Sequence, residues 1–217
     1  MRLVDALPRL ESLYKVRFSE LFEKCDMKVD KGKVGKLLQG LLDMPHTGRL
    51  LDFDDGELKT NKSNPSGKPL ETMYISQISK KIDFLLNRGA FRESWIYSKI
   101  RNLVYLPVVK EGDPSEWYFL FPVHVQVREG DELFQQLSID FDEITLKMVS
   151  DIEERDGYLH TSSGEFIQIR TKDSKPYYPI HSEKYGRFVS NKNFAFYFKK
   201  EFMTQLLRTS EHYPDIT

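Results

Sequence analysis

The sequence predicts an α/β fold with a mixed central sheet flanked by helices. Two observations lead there: apolar residues change between helical and strand spacing along the chain, and the elements follow one another in mixed order rather than in blocks of one type. The 217 residues, 40% hydrophobic and 13% aromatic, supply a core for a single domain covering residues 1–217, with room for two lobes. Those lobes are expected at about residues 1–110 and 111–217.

Leu7, Leu10, Leu13, Tyr14 and Phe18 share one helical face and predict an N-terminal helix. KGKVGKLLQGLL, at 31–42, places Val34, Leu37, Leu38, Leu41 and Leu42 at helical spacing, with glycines at the start. Residues 51–61 read as a hairpin centred on Asp55-Gly56, a favoured two-residue turn pair. Strands are expected over 73–78, 103–109 and 118–127, with a partly helical stretch before residue 100. Phe134, Leu137, Phe141, Ile144, Met148 and Ile152 mark a long helix. Strands at 165–170 and 193–198 and a closing helix at 201–208 complete the order.

No apolar run approaches the roughly 18 residues of a membrane span, and the N-terminus lacks a signal-peptide pattern, so the cytoplasm is the expected location. Cys25 is the only cysteine; alone it forms neither an internal disulfide nor a multi-cysteine zinc site, and a small buried hydrophobe is its ordinary role. The five histidines are scattered without metal-ligand spacing, and neither a Walker A motif nor a hydrolase serine elbow occurs.

The formal net charge of -1 hides a strong asymmetry. Residues 59–110 carry ten basic and three acidic residues, and residues 111–156 carry three and thirteen. Between 166 and 200, eight lysines and arginines are interleaved with Tyr177, Tyr178, Tyr185 and Tyr197. Such a surface suits phosphates together with bases or sugars, although a solvated basic loop has the same composition.

The window LDFDDGELKT at 51–60 carries the chemistry. In a hairpin, Asp52 and Glu57 lie on adjacent arms, and alternation sends Glu57 and Lys59 to one face while Leu58 points inward. Two carboxylates converging with an ammonium suit Mg²⁺, which takes one or two protein carboxylates plus water and phosphate oxygens. Lys59 would orient a water or stabilise charge at phosphorus. A surface hairpin with an acidic turn and one ion pair has the same spacing.

The acidic residue followed by Glu-Leu-Lys resembles the PD-(D/E)xK nucleases, and the surrounding sequence resembles their MutH-like group. KGKVGKLL at 31–38, PLETMY at 69–74, SKIRNLVYLPV at 98–108, GEFIQIRTK at 164–172 and FYFKK at 196–200 are similar, in order, to that group's conserved blocks. The resemblance implies a restriction-endonuclease-like fold whose two lobes form a DNA cleft. It makes Asp52 and Glu57 metal ligands with the Leu58 carbonyl, Lys59 the catalytic lysine and Lys99 a second lysine near the site. Lys31, Gly32, Tyr74, Arg170, Thr171, Lys172, Tyr197 and Lys199 become DNA-facing positions. Implied too are Mg²⁺, with Mn²⁺ able to substitute, double-stranded DNA, and a GATC-like site at which adenine methylation blocks cutting.

Three departures stand out. Gln39 replaces the family's Glu and removes a charge from the metal environment. The gap between Asp52 and Glu57 is two residues short, which leaves Asp54 and Asp55 as stand-ins for Asp52. Thr171 replaces the Pro of the recognition loop. Because these fall at active-site and recognition positions, the expected role is a type II restriction enzyme, acting as a monomer or a transient homodimer on DNA. A mismatch-repair nickase activated by a MutL-like partner is the alternative, and a catalytically silent DNA-binding module is a third reading.

Overall fold

The computed structural model describes residues 1–25, 34–44, 50–172, 177–213 and 216. They form two compact units, each assembled from separated segments. The first comprises Met1–Glu71, Arg101–Gln126 and Met203–Thr217; the second comprises Thr72–Ile100 and Val127–Phe202. The expected division near residue 110 differs from this one, because β-pairing between distant segments, which local patterning does not encode, draws residues 101–126 into the first unit.

The first unit opens with α1 (Leu3–Glu11), α2 (Phe18–Lys24) and α3 (Val34–Leu41), followed by β1 (Glu57–Ser63). Residues 12–17 interrupt what the apolar spacing reads as one helix, and Lys15 there has φ of 57°. After β2 (Met73–Gln77), α4 (Ile82–Leu86) and α5 (Trp95–Ile100) of the second unit, the chain returns to the first as β3 (Asn102–Val109), β4 (Tyr118–Phe119) and β5 (Val123–Gln126).

In the first unit β3 is the central strand, parallel to β1 on one side and antiparallel to β4 and β5 on the other. Its run LVYLPVV is buried throughout, as a strand covered on both faces requires. Pro107 has no N–H to give the ladder. Opposite it the expected single strand 118–127 breaks between β4 and β5, where Leu120 N donates to the Pro107 carbonyl at 2.9 Å. Leu3, Leu10, Phe18, Leu37 and Leu38 from the helices pack with Val104, Leu106 and Phe119 of the sheet. Each such side chain contributes roughly 1.5–3 kcal/mol on burial. Cys25 packs against this cluster, and burial, with the Asp43 charge, pushes its thiol pKa up.

The second unit continues with α6 (Glu132–Ser150), β6 (Ser162–Ser163), β7 (Ile167–Thr171), β8 (Ile180–Ser182), β9 (Arg187–Ser190) and β10 (Phe194–Phe198). The chain changes unit within α7 (Lys200–Arg208). Its main sheet is antiparallel, in the order β2-β10-β7-β6. Strand alternation gives each strand an inner and an outer set: Met73 and Ile75 are buried while Tyr74 is exposed, and Ile167 and Ile169 are buried while Arg170 is exposed. The inner face meets the α6 stripe of Leu137, Phe141, Ile144 and Met148, with Phe141 and Phe196 stacked at 5.8 Å.

The hairpin β8–β9, which falls where the sequence reads as basic loop, is tied to α4. Asp83 accepts from Ser182 Oγ (2.6 Å) and from the N–H groups of Glu183 (3.0 Å) and Lys184 (3.2 Å). Among the described residues no helix is long and apolar enough to cross a membrane.

Candidate active site

The expected hairpin at 51–61 does not form, because the first arm never joins a ladder. Residues 50–55 are a bend, and β1 takes β3 as its partner, with Glu57 opposite Leu103 and Lys59 opposite Tyr105. The bend is held by the N-terminus instead: Asp54 pairs with the Met1 amine at 2.8 Å, and Asp55 Oδ1 accepts from Leu3 N at 2.7 Å. Those contacts give Asp54 and Asp55 structural work and remove the reason to read either as a stand-in for Asp52. Gly56 is needed for close approach rather than for a mirror-image turn. A Cβ there would stand 2.4 Å from Leu3 Cδ1 and 2.7 Å from the Asn102 carbonyl oxygen.

Asp52 reaches β1 through its carboxylate, which accepts from Leu58 N at 3.1 Å. One residue before Leu58, Glu57 is 2% exposed, and its Oε1 lies 2.5 Å from Lys59 Nζ. The expected alternation holds, since Glu57 and Lys59 pair while Leu58 packs against the core of this unit. Removing water from this ion pair raises the cost of losing either partner. The buried carboxylate fixes where the lysine ammonium sits.

A cavity of about 110 Å³ in the same unit is lined by Gly35 and Gln39 of α3 together with Asp52, Leu58 and Thr60. The structure thus brings Gln39, the first departure from the family pattern, to the wall that Asp52 shares. Thr60 escaped the sequence reading, although its place two residues after Leu58 puts it on the same side of β1. The polar side chains that line the cavity are the Asp52 carboxylate, the Gln39 amide and the Thr60 hydroxyl. Oxygen groups of this kind suit a hard divalent cation; the Glu57 carboxylate, which alternation along β1 sends away from Leu58 and Thr60, does not line this cavity. Among the described residues no three His, Cys, Asp or Glu side chains group to hold a metal alone. A cation would therefore complete its shell with water and substrate oxygens.

The second unit carries the other constellation. Tyr197 of β10 is paired with Tyr74 of β2 and with Gln168 of β7, and the two tyrosine rings meet edge to face at 5.7 Å. The Arg170 guanidinium lies 4.3 Å from the Tyr197 ring centre, and Lys172 Nζ lies 4.9 Å from that of Tyr74. Four positions separated by up to 123 residues in sequence therefore form one layer of two rings and two cations. Each cation–ring contact is worth about 0.5–1 kcal/mol when exposed, and it holds the cation's approach angle. Tyr74 is 37% exposed and Tyr197 only 8%, so a ligand would meet the first ring more fully.

The remaining positions are dispersed. Lys31 and Gly32 lie outside the described residues. Lys99 is in the last turn of α5, in the second unit, and so is not part of the compact unit that carries Asp52, Glu57 and Lys59. Thr171 ends β7 opposite Phe194. Lys199 is turned into its own unit, where Nζ donates to the Gly164 carbonyl at 3.0 Å; a phosphate-facing role does not account for that bond.

Comparison with known proteins gives no matching family model. The chain is, however, similar to curated proteins named DNA mismatch repair protein MutH. It is 26% identical over 197 residues to that of Buchnera aphidicola, covering 84% of this chain and 83% of the relative. It is 27% identical over 227 residues to that of Histophilus somni strain 2336, covering 94% and 92%, and 23% identical to that of Pasteurella multocida, covering 94% of each. This whole-length likeness supports a MutH-like endonuclease family.

Proposed function

We propose that this MutH-like chain is a divalent-metal-dependent DNA endonuclease of mismatch repair, nicking one strand at a GATC-like site when its adenine is unmethylated. The observation that carries the reading is the pairing of buried Glu57 with half-buried Lys59 at the head of β1, with Asp52 hydrogen-bonded to the peptide between them. It occurs in a chain similar to mismatch repair proteins along nearly all its length.

Mg²⁺, or Mn²⁺ in its place, would be held by Asp52, Glu57 and the Leu58 carbonyl, and would polarise the phosphoryl oxygen and make water more acidic. The residues of the chain supply the rest. Glu57 holds Lys59 in place before DNA arrives, so that its ammonium can orient the attacking water and stabilise charge growing on the phosphate. Arg170 and Lys172 can donate to guanine acceptors, and the Tyr197 ring can sense a methyl group on adenine N6. The sheet fixes both cations against rings, so little ordering is left for binding.

The restriction role, favoured on sequence by the three departures, is the weaker reading. Similarity covers more than nine-tenths of both chains for two of the relatives above, and the relatives named are mismatch repair proteins. The repair reading also brings a MutL-type activating partner and action at chromosomal DNA in the cytoplasm. Incubation with supercoiled plasmid and Mg²⁺, with and without a MutL-type protein, separates the two. Repair predicts nicked circles whose yield rises with the partner; restriction predicts linear DNA without it. No cutting of any plasmid would leave only the silent DNA-binding module.

A further inference from the structure

We infer that Asp140 and Lys199 are positioning residues for the recognition strand β7, gripping its first turn from two sides. This rests on the DNA-recognition reading of Arg170 and Lys172 given above. Asp140 lies in the apolar stripe of α6, fully buried, between Leu137 and Phe141. Its carboxylate accepts three successive backbone N–H groups: Glu165 at 2.9 Å, Phe166 at 2.6 Å and Ile167 at 3.0 Å. Gln136 Nε2 donates a fourth bond at 3.0 Å. Gly164 makes the approach possible, since a Cβ on it would stand 2.4 Å from Asp140 Cγ.

Lys199 completes the grip. Its Nζ donates to the Gly164 carbonyl, and its backbone N donates to the Phe166 carbonyl at 2.9 Å. Gly164 N in turn donates to the Ile167 carbonyl at 2.9 Å, closing the turn on itself. Three residues beyond Ile167 stands Arg170, and two beyond that Lys172, so whatever fixes the turn fixes the register from which both cations project. A buried carboxylate satisfied by four donors is a rigid anchor, because giving up any one bond strands charge in a dry site. The half-buried ammonium of Lys199 is spent on the Gly164 carbonyl, so its expected contribution to counterion release on DNA is nil.

The test uses the full chain, Lys199→Met and Asp140→Asn. Binding is measured without divalent metal, over a salt series, to a duplex with one GATC and to the same duplex with one base pair replaced. Lys199→Met should lower the ratio of specific to non-specific affinity by about threefold to tenfold. The slope of log affinity against log salt stays unchanged. If Lys199 instead touches a phosphate, the slope flattens by about 0.9 and the ratio holds, which overturns the assignment. An unchanged ratio and slope overturn it equally. For Asp140→Asn, amide hydrogen exchange at residues 165–167 should speed up by about tenfold or more with the fold retained; unaltered protection there contradicts the anchor without reference to DNA. Wild-type protein that shows no preference for either duplex would mean that the recognition reading itself has failed.

Discussion

A Cβ on Gly164 would stand 2.4 Å from Asp140 Cγ, closer than packed atoms tolerate, so the glycine and the buried carboxylate fit only as a pair. Gly164→Ala must push α6 from β7 or break bonds to residues 165–167. Overpacking of this kind costs about 1–3 kcal/mol. Urea unfolding should show a lower midpoint with an unchanged slope; a midpoint equal to wild type would mean that the turn yields freely.

Arg170 offers a planar fork seated on Tyr197, and lysine cannot reproduce both features. Arg170→Lys should therefore keep most non-specific binding while losing about 1–3 kcal/mol of discrimination at one base position. Competition binding with single-substituted GATC duplexes measures it. Uniform weakening across all duplexes would instead make Arg170 a phosphate contact.

Asp83 anchors the β8–β9 hairpin through a carboxylate that must be ionised to accept three bonds. Burial alone would raise its pKa, but the hydrogen bonds from Ser182, Glu183 and Lys184 outweigh burial and hold it below the ordinary carboxylate value. A depressed folded-state pKa contributes stability above the unfolded value, and that contribution is lost as pH falls through the folded one. Asp83→Asn should thus be less stable than wild type at neutral pH, and the gap should close below about pH 4. Chemical denaturation of both proteins from pH 3 to pH 7 measures the gap. A gap constant across that range would show that the charge of Asp83 is irrelevant.

What the chain reveals in sequence follows the range of the interactions involved. β3 and α6 are legible because LVYLPVV and the stripe from Leu137 to Met148 bury their own residues locally. Asp52, Glu57 and Lys59 are legible as a short motif, and Tyr74, Arg170, Lys172 and Tyr197, named through a family resemblance, prove to lie in one layer. The hairpin at 51–61 fails because the partner of β1 lies more than forty residues away and runs parallel; Asp55-Gly56 encodes a turn only if the arms on either side pair. Asp140 is not singled out by the apolar pattern of its helix. Its place among Leu137, Phe141 and Ile144 was the available sign that it points inward.

Gly35 gives a prediction of opposite sign to Gly164. A Cβ at Gly35 meets nothing within 4 Å, so Gly35→Ala in α3 should stabilise the chain by a few tenths to about 1 kcal/mol. The added methyl borders the cavity shared by Gln39 and Asp52, and cleavage should slow even as the melting temperature rises. Faster or equal cleavage would place that cavity outside the active site.

Lys59, held by Glu57, is proposed to serve strand-selective cutting of unmethylated GATC. The most direct test of that role is strand-resolved cleavage of hemimethylated, unmethylated and fully methylated GATC duplexes in Mg²⁺ by wild type and by Lys59→Ala. Wild type should cut only unmethylated strands, and Lys59→Ala should bind the same duplexes yet cut none. Cleavage that ignores methylation, or a Lys59→Ala variant as active as wild type, would contradict the account.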